Sequence, residues 1–299
     1  MKLPLSLAAI LPACALALSA CSSVAPVAPA ATTLTQEVRQ TGEIVDLRSG
    51  QRLNPEQLLA RLAAAPRVIV GEEHDQLSHH RIQQWLLAQL QGQRPQGAVL
   101  LEMLNPDQQA KVDEVKPWLQ SDPVVRSEHV AKLLAWQPSW KWELYGDLVM
   151  EAMRAPYPVW SANLDRSEIK QLFAAQPALQ GKHSNLATEA KVRAQQEKII
   201  REMHDNQIDA PRLAAMLSVQ QQRDRRMAER LLAAPAPALL IAGGYHAAKD
   251  MGVPLHVQDL TGSAAPMVLM LAQRGAPITA QQADFVWFTP VAPAAASTQ

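Results

Sequence analysis

Cysteine is nearly missing from this chain. Its 299 residues include two, Cys14 and Cys21, so the body of the chain has no thiol. Thiolate metal centres, cysteine nucleophiles and disulfides are therefore excluded there. Net charge is missing too, because 28 Lys and Arg balance 28 Asp and Glu. A nucleic-acid surface needs a basic face, so no nucleic-acid partner is expected. Aromatic residues make up 4%, with three tyrosines, so any phenol in a site comes from a short list. There is no Gly-x-Ser-x-Gly elbow, no P-loop and no His-Glu-x-x-His. The Gly243-Gly244 pair lacks the third glycine of a dinucleotide fingerprint.

What is present begins at the N-terminus. "MKLPLSLAAILPACALALSAC" carries one positive residue, Lys2, then an apolar run too short for a membrane span and small residues before Cys21. Leu18-Ser19-Ala20-Cys21 resembles the bacterial lipobox. That implies a signal peptide, residues 1–20, and a diacylglycerol on the Cys21 sulfur, anchoring the chain to a lipid bilayer. The alternative is an ordinary signal cut after Ala20. Ser22, rather than Asp, follows the cysteine, which implies an outer-membrane lipoprotein facing the periplasm. Loss of Lys2 would leave 27 basic residues (28 less one) against 28 acidic. Residues 21–36 are Ala/Pro/Thr-rich and read as an extended tether; residues 290–299 read as a flexible tail. Between them, 37–289 reads as a single domain, and 48% hydrophobic residues can bury its core.

Strand-like and helix-like segments alternate. "RVIVG" (67–71) follows the helical "NPEQLLARLAAA" (54–65). "SHHRIQQWLLAQLQ" (78–91) spaces Ile82, Leu86, Leu87 and Leu90 helically, with Ser78 as the expected N-cap. "GAVLLEM" (97–103), "YPVWSANL" (157–164) and "PALLIAGGYH" (237–246) read as strands. A helical stretch runs over 185–233, broken near Asp209-Ala210-Pro211. "LHVQDL" (255–260), "PMVLMLA" (266–272) and "DFVWF" (284–288) read as short closing strands. The pattern predicts an α/β fold: a mostly parallel central sheet flanked by helices on both faces, mixed or antiparallel at the last edge.

In such sheets ligands bind beyond the C-terminal strand ends. Three strands end in polar chemistry: Glu72 and His74 after the first, Glu102 after the second, His246 after a late one. Together they suit either a divalent metal, with His74, Glu102 and His246 as candidate ligands, or acid–base catalysis. The other reading of each is a buried structural partner. His79 and His80 open a helix, and adjacent residues do not share its face. Trp136, Trp140, Trp142 and Tyr145 either line a flat apolar ligand or anchor the core. In "QQQRDRRMAERL" (220–231), Gln220 and Asp224 lie one turn apart and can point inward together.

The lipobox, "VGEEHD" followed by "HH", "LLEM", "WKWELYGDL", "PVWSANL", "QQQRDRRMAERL" and "AGGYHAAKDMGVP" occur in this order over about 42–271. The order resembles the ChaN-like haem-binding uptake lipoproteins, within a superfamily that includes Tiki/TraB-type and erythromycin-esterase-type proteins. The resemblance implies a lipoprotein that binds haem and assists haem-iron uptake beside an outer-membrane haem receptor, with haem sometimes held between two subunits of a homodimer. Glu72, His74, Glu102 and His246 match the rim that hydrolytic relatives use, some with a metal. Tyr145 matches the family's aromatic segment, and Tyr245 stands where a smaller residue is common. Ferric iron accepts phenolate or imidazole, so Tyr145, Tyr245, His79 and His80 are the candidate ligands and Arg81 a candidate propionate partner. Two other readings stay open: a metal-assisted hydrolase using the rim, and a non-catalytic adaptor of the receptor.

Overall fold

The computed structural model describes residues 30–291. The signal segment, Cys21 and most of the tail lie outside them. The first half forms α1 (Ala30–Arg39), β1 (Glu43–Asp46), β2 (Arg52–Leu53), α2 (Pro55–Ala63), β3 (Arg67–Glu72), α3 (Leu77–Gln93), β4 (Ala98–Leu101), α4 (Gln109–Gln120), α5 (Ser127–Leu133) and α6 (Trp142–Arg154). The second half forms β5 (Val159–Ser161), α7 (Arg166–Ala175), α8 (Ala190–Met203), α9 (Ala210–Ala233), β6 (Ala238–Gly243), α10 (Gly244–Ala247), α11 (Val253–Thr261), β7 (Met267–Gln273) and β8 (Phe285–Thr289).

All eight strands join one sheet in the order β2-β1-β8-β7-β3-β6-β4-β5. From β8 to β5 every pairing is parallel, whereas β1 runs antiparallel to both β8 and β2. The inner strands are apolar on both sides because helices cover both faces. Along β3, Val68 and Val70 face one core and Ile69 the other. Leu239 and Ile241 against Leu240 and Ala242 repeat this in β6. The first core packs under α2, α3 and α6, where Trp85 meets Trp287 edge to face at 5.9 Å. The second packs under α9 and α11.

Local chemistry sets the helix ends. Asn54 accepts from the Gln57 amide at 2.8 Å while Gln57 Oε1 accepts from the Asn54 amide, so α2 starts on a capping box with Pro55 behind it. Asp209 caps α9 through the Arg212 amide, which explains the expected break before Pro211.

Several expectations need correction. Helix α3 begins at Leu77 with Gln76 as its N-cap residue, so Ser78 lies inside its first turn and caps nothing. "LHVQDL" is helical, within α11, because Gly252 and Pro254 set a helix start and Val253 and Val257 lie one turn apart on the buried side. The stretch read as tether is helical from Ala30 onward, and Val38 of that helix joins the core. β7 and β8 are parallel; the antiparallel edge comes from β1 and β2, near the start of the described chain.

One buried cation fastens two helices. Lys116 of α4 donates to the carbonyls of Ala152, Met153 and Ala155 at 2.9, 3.1 and 2.7 Å, closing the C-terminus of α6. Burial pulls its ammonium down to about 8. Lys116→Met leaves three carbonyls without this donor, and we expect a loss of about 2–4 kcal/mol. A urea melt reads this as a lower midpoint with the slope unchanged; an unmoved midpoint removes the capping role.

Candidate functional site

The chain enters β3, crosses to β4 and β5, then returns to fill the gap between β3 and β4 with β6. The C-terminal ends of β3, β6 and β4 are therefore neighbours, with Glu72 registered against Gly243. Glu102 follows β4 and accepts from the Gly243 amide through Oε2 at 2.7 Å. Gly243 is required by close approach: a Cβ there would lie 2.8 Å from Cε1 of His74. Above these ends lies a cavity of about 560 Å3, within the ordinary range of small-molecule sites.

The floor is built around Glu72, which is 3% exposed. Its Oε1 accepts from the Tyr145 hydroxyl at 2.6 Å and His74 Nδ1 at 2.8 Å. Its Oε2 accepts from His80 Nδ1 at 2.8 Å and Gln83 Nε2 at 3.0 Å. Burial alone would push this carboxyl up; the hydrogen bonds from His74 and His80, and their charges, outweigh it and hold it at about 2. The Tyr145 phenol moves far the other way, because burial and the Glu72 carboxylate both oppose phenolate.

The adjacent histidines are pushed in opposite directions. His79 Nδ1 accepts from the Glu73 amide at 3.1 Å, and its Nε2 faces Thr289 Oγ1 at 3.1 Å. It is neutral, and burial brings it down to about 4. His80 faces acceptors on both sides: Glu72 Oε2 and Gln83 Oε1 at Nδ1, and the His74 carbonyl at Nε2. That environment calls for the imidazolium. Burial opposes the charge, but the Glu72 hydrogen bond and carboxylate raise the His80 pKa above its usual value.

Across the floor, His246 Nδ1 sits 2.5 Å from Asp224 Oδ1, and its Nε2 is 3.5 Å from Glu102 Oε1. Burial works against its protonation, and the two carboxylates outweigh it and raise its pKa. His74 is raised in the same way, burial being overcome by Glu72 and Glu102. The outer wall is apolar, including Ile199, Ile200, Met203, Met251 and Ile278. Met203 and Tyr245 project to solvent at 63% and 53% exposure.

The structure thus brings Glu72, His74, Glu102 and His246 to one cavity, as the strand-end argument expects, and adds Gln220, Asp224 and Tyr245 to its lining. Tyr145, His79 and His80 are outside that lining, in the layer beneath. Arg81 points elsewhere, pairing with Glu37 of α1 at 2.6 Å. The possible metal set of His74, Glu102 and His246 does not converge: among the described residues no group of three or more His, Cys, Asp or Glu side chains could hold an ion. Their polar atoms are turned toward protein partners instead, His74 to Glu72, His246 to Asp224 and Glu102 to Gly243. Two lining residues escape the sequence argument. Asn163, just past β5, donates to the Glu102 carbonyl at 2.9 Å, and Arg223 shares the α9 face of Gln220 and Asp224. The strand-end rule and the one-turn spacing are the signals that point to them.

Residues 58–257 match the family described as haem-binding uptake, Tiki superfamily, ChaN. The chain belongs to this family. A solved ChaN of Campylobacter jejuni, described as binding haem cofacially, is similar over 84% of this chain and 98% of its own, with 27% identity and a TM-score of 0.75. An open-form erythromycin esterase mutant, EreC, is similar at 12% identity and TM-score 0.45 over 84% of this chain and 83% of its own. The type III effector HopBA1 follows at 15% identity and TM-score 0.42, over 79% and 92%. No curated protein matches the chain.

The Glu72 cluster yields a pH prediction. Its folded pKa lies below the ordinary 4.5, so its stabilisation is full above pH 4.5 and drains away as pH falls toward about 2. His74, His80 and His246 are raised, so their stabilisation is full below about pH 6.5 and is lost as pH rises through their folded values. Glu72→Gln removes the carboxylate that favours the His80 proton, so we expect His80 to turn neutral, a loss of about 1–3 kcal/mol near neutrality and a flatter decline below pH 4.5. Chemical denaturation across pH checks it; parallel wild-type and variant curves speak against the cluster.

Proposed function

We propose that this chain binds haem in the strand-end cavity and serves haem-iron uptake. The observation that carries the reading is the cavity itself, with a polar, fixed floor, an apolar outer wall and a tyrosine at the mouth. Haem is flat and apolar with a carboxylate edge, and its ferric iron accepts a phenolate. Family membership and the described haem binding of the Campylobacter relative support the reading.

Tyr245 is the iron ligand in this account. Of the candidate phenols and imidazoles, it is the one that both lines the cavity and reaches solvent. Tyr145 is buried with its hydroxyl donating to Glu72, and the ring nitrogens of His79 and His80 all have protein partners. The exposed apolar mouth at Met203 and Tyr245 favours two copies meeting there, so that two haems lie face to face as in the relative's description. The lipobox-like segment supports an outer-membrane anchor at Cys21 with the domain in the periplasm, beside a haem receptor. The metal-assisted hydrolase reading is weaker: its donors do not converge, and both floor imidazoles already have a ring nitrogen engaged by a buried carboxylate.

Hemin titration followed at the Soret band tests the proposal. A saturable shift is expected, with a phenolate charge-transfer band that Tyr245→Phe abolishes and Tyr145→Phe retains. A Soret band that stays at the free-hemin position overturns haem binding. A band that survives Tyr245→Phe overturns the ligand.

A further inference from the structure

We infer that Arg223 anchors an acidic group of the ligand, so that the cavity distinguishes a free carboxylate edge from an esterified one. The inference rests on the haem reading and concerns how that ligand is selected.

Helix α9 carries four arginines in a short run, and three have structural work. Arg225 donates to His256 Nδ1 and to the Gln180 carbonyl. Arg226 pairs with Glu168 at 2.6 Å. Arg230 donates to the Ser161 carbonyl and lies over the Trp160 ring, 4.5 Å from its centroid. Arg223 differs. It lines the cavity, half-buried, and among the described residues it forms no ion pair with a carboxylate.

Its guanidinium is held all the same. Nε donates to Asn163 Oδ1 at 2.9 Å, and Nη1 donates to Gln220 Oε1 at 2.8 Å. Asn163 is itself pinned, since Nδ2 donates to the Glu102 carbonyl and Oδ1 also accepts from the Leu164 amide. Both guanidinium partners are neutral amides, so they aim the group without cancelling its charge. Nη2 has no hydrogen-bond partner among the described residues. A fixed, planar, permanently charged donor beside an apolar wall is what recognition of a carboxylate requires.

The floor around it explains why the charge is needed. Glu72 and Glu102 are buried acids, and an incoming carboxylate meets their repulsion unless a cation intervenes. His74 and His246 are turned to Glu72 and Asp224, so their positive charge is already engaged. Arg223 is the lining cation left to meet the ligand.

The test titrates the full chain and Arg223→Gln with hemin and with hemin dimethyl ester, in one detergent-containing buffer. Wild type is expected to bind hemin about 10- to 100-fold more tightly than the ester, the range of a charge-assisted hydrogen bond. Arg223→Gln is expected to lose that preference by weakening hemin alone. Equal wild-type affinities for acid and ester overturn the inference, and so does a variant that weakens both ligands alike, which marks Arg223 as mere support for Asn163. Wild type binding neither compound overturns the haem reading itself, and this inference with it.

Discussion

A buried carboxylate is stable only when its oxygens are paired, and Glu72 meets that constraint with four donors. Tyr145 and His74 serve one oxygen, His80 and Gln83 the other. These donors come from the β3 end, from α3 and from α6, so one side chain fixes three elements relative to each other. An unpaired charge there would cost several kcal/mol. The arrangement also holds His74 over Gly243, where any larger residue would collide with its ring. The cavity floor is therefore a consequence of satisfying one anion.

The second half of the floor follows the same logic on the other side of β6. Asp224 and Glu102 bracket His246, and Asn163 links the Glu102 backbone to Arg223. The two clusters meet where β6 fills the gap between β3 and β4, the crossover position that α/β sheets use for ligands. The polar groups are mostly spent on one another, leaving an apolar wall and one aimed cation.

Much of this was legible in the sequence, and the reasons are local. The apolar strands before Glu72 and Glu102 and the glycines after Ile241 signalled a parallel sheet whose ends carry chemistry. Sequence could not say that Tyr145 reaches Glu72, because seventy-three residues separate them and only the packing of α6 on α3 closes the distance. Nor could it assign His79 and His80, whose opposite pKa shifts depend on burial beside a backbone amide for one and on a carboxylate for the other. "LHVQDL" misled because a short apolar run fits either period, and Gly252 and Pro254 at its front carried the deciding signal.

With Glu72 and Gln83 oxygens at Nδ1 and the His74 carbonyl at Nε2, His80 fits its cluster only as a doubly protonated ring. Nitrogen-15 NMR of the histidine rings at pH 7 reads this directly. The expected result is an imidazolium pattern for His80 in wild type, with both ring nitrogens protonated, replaced by a neutral pattern in Glu72→Gln. A neutral His80 ring in the wild-type protein at pH 7 would contradict it.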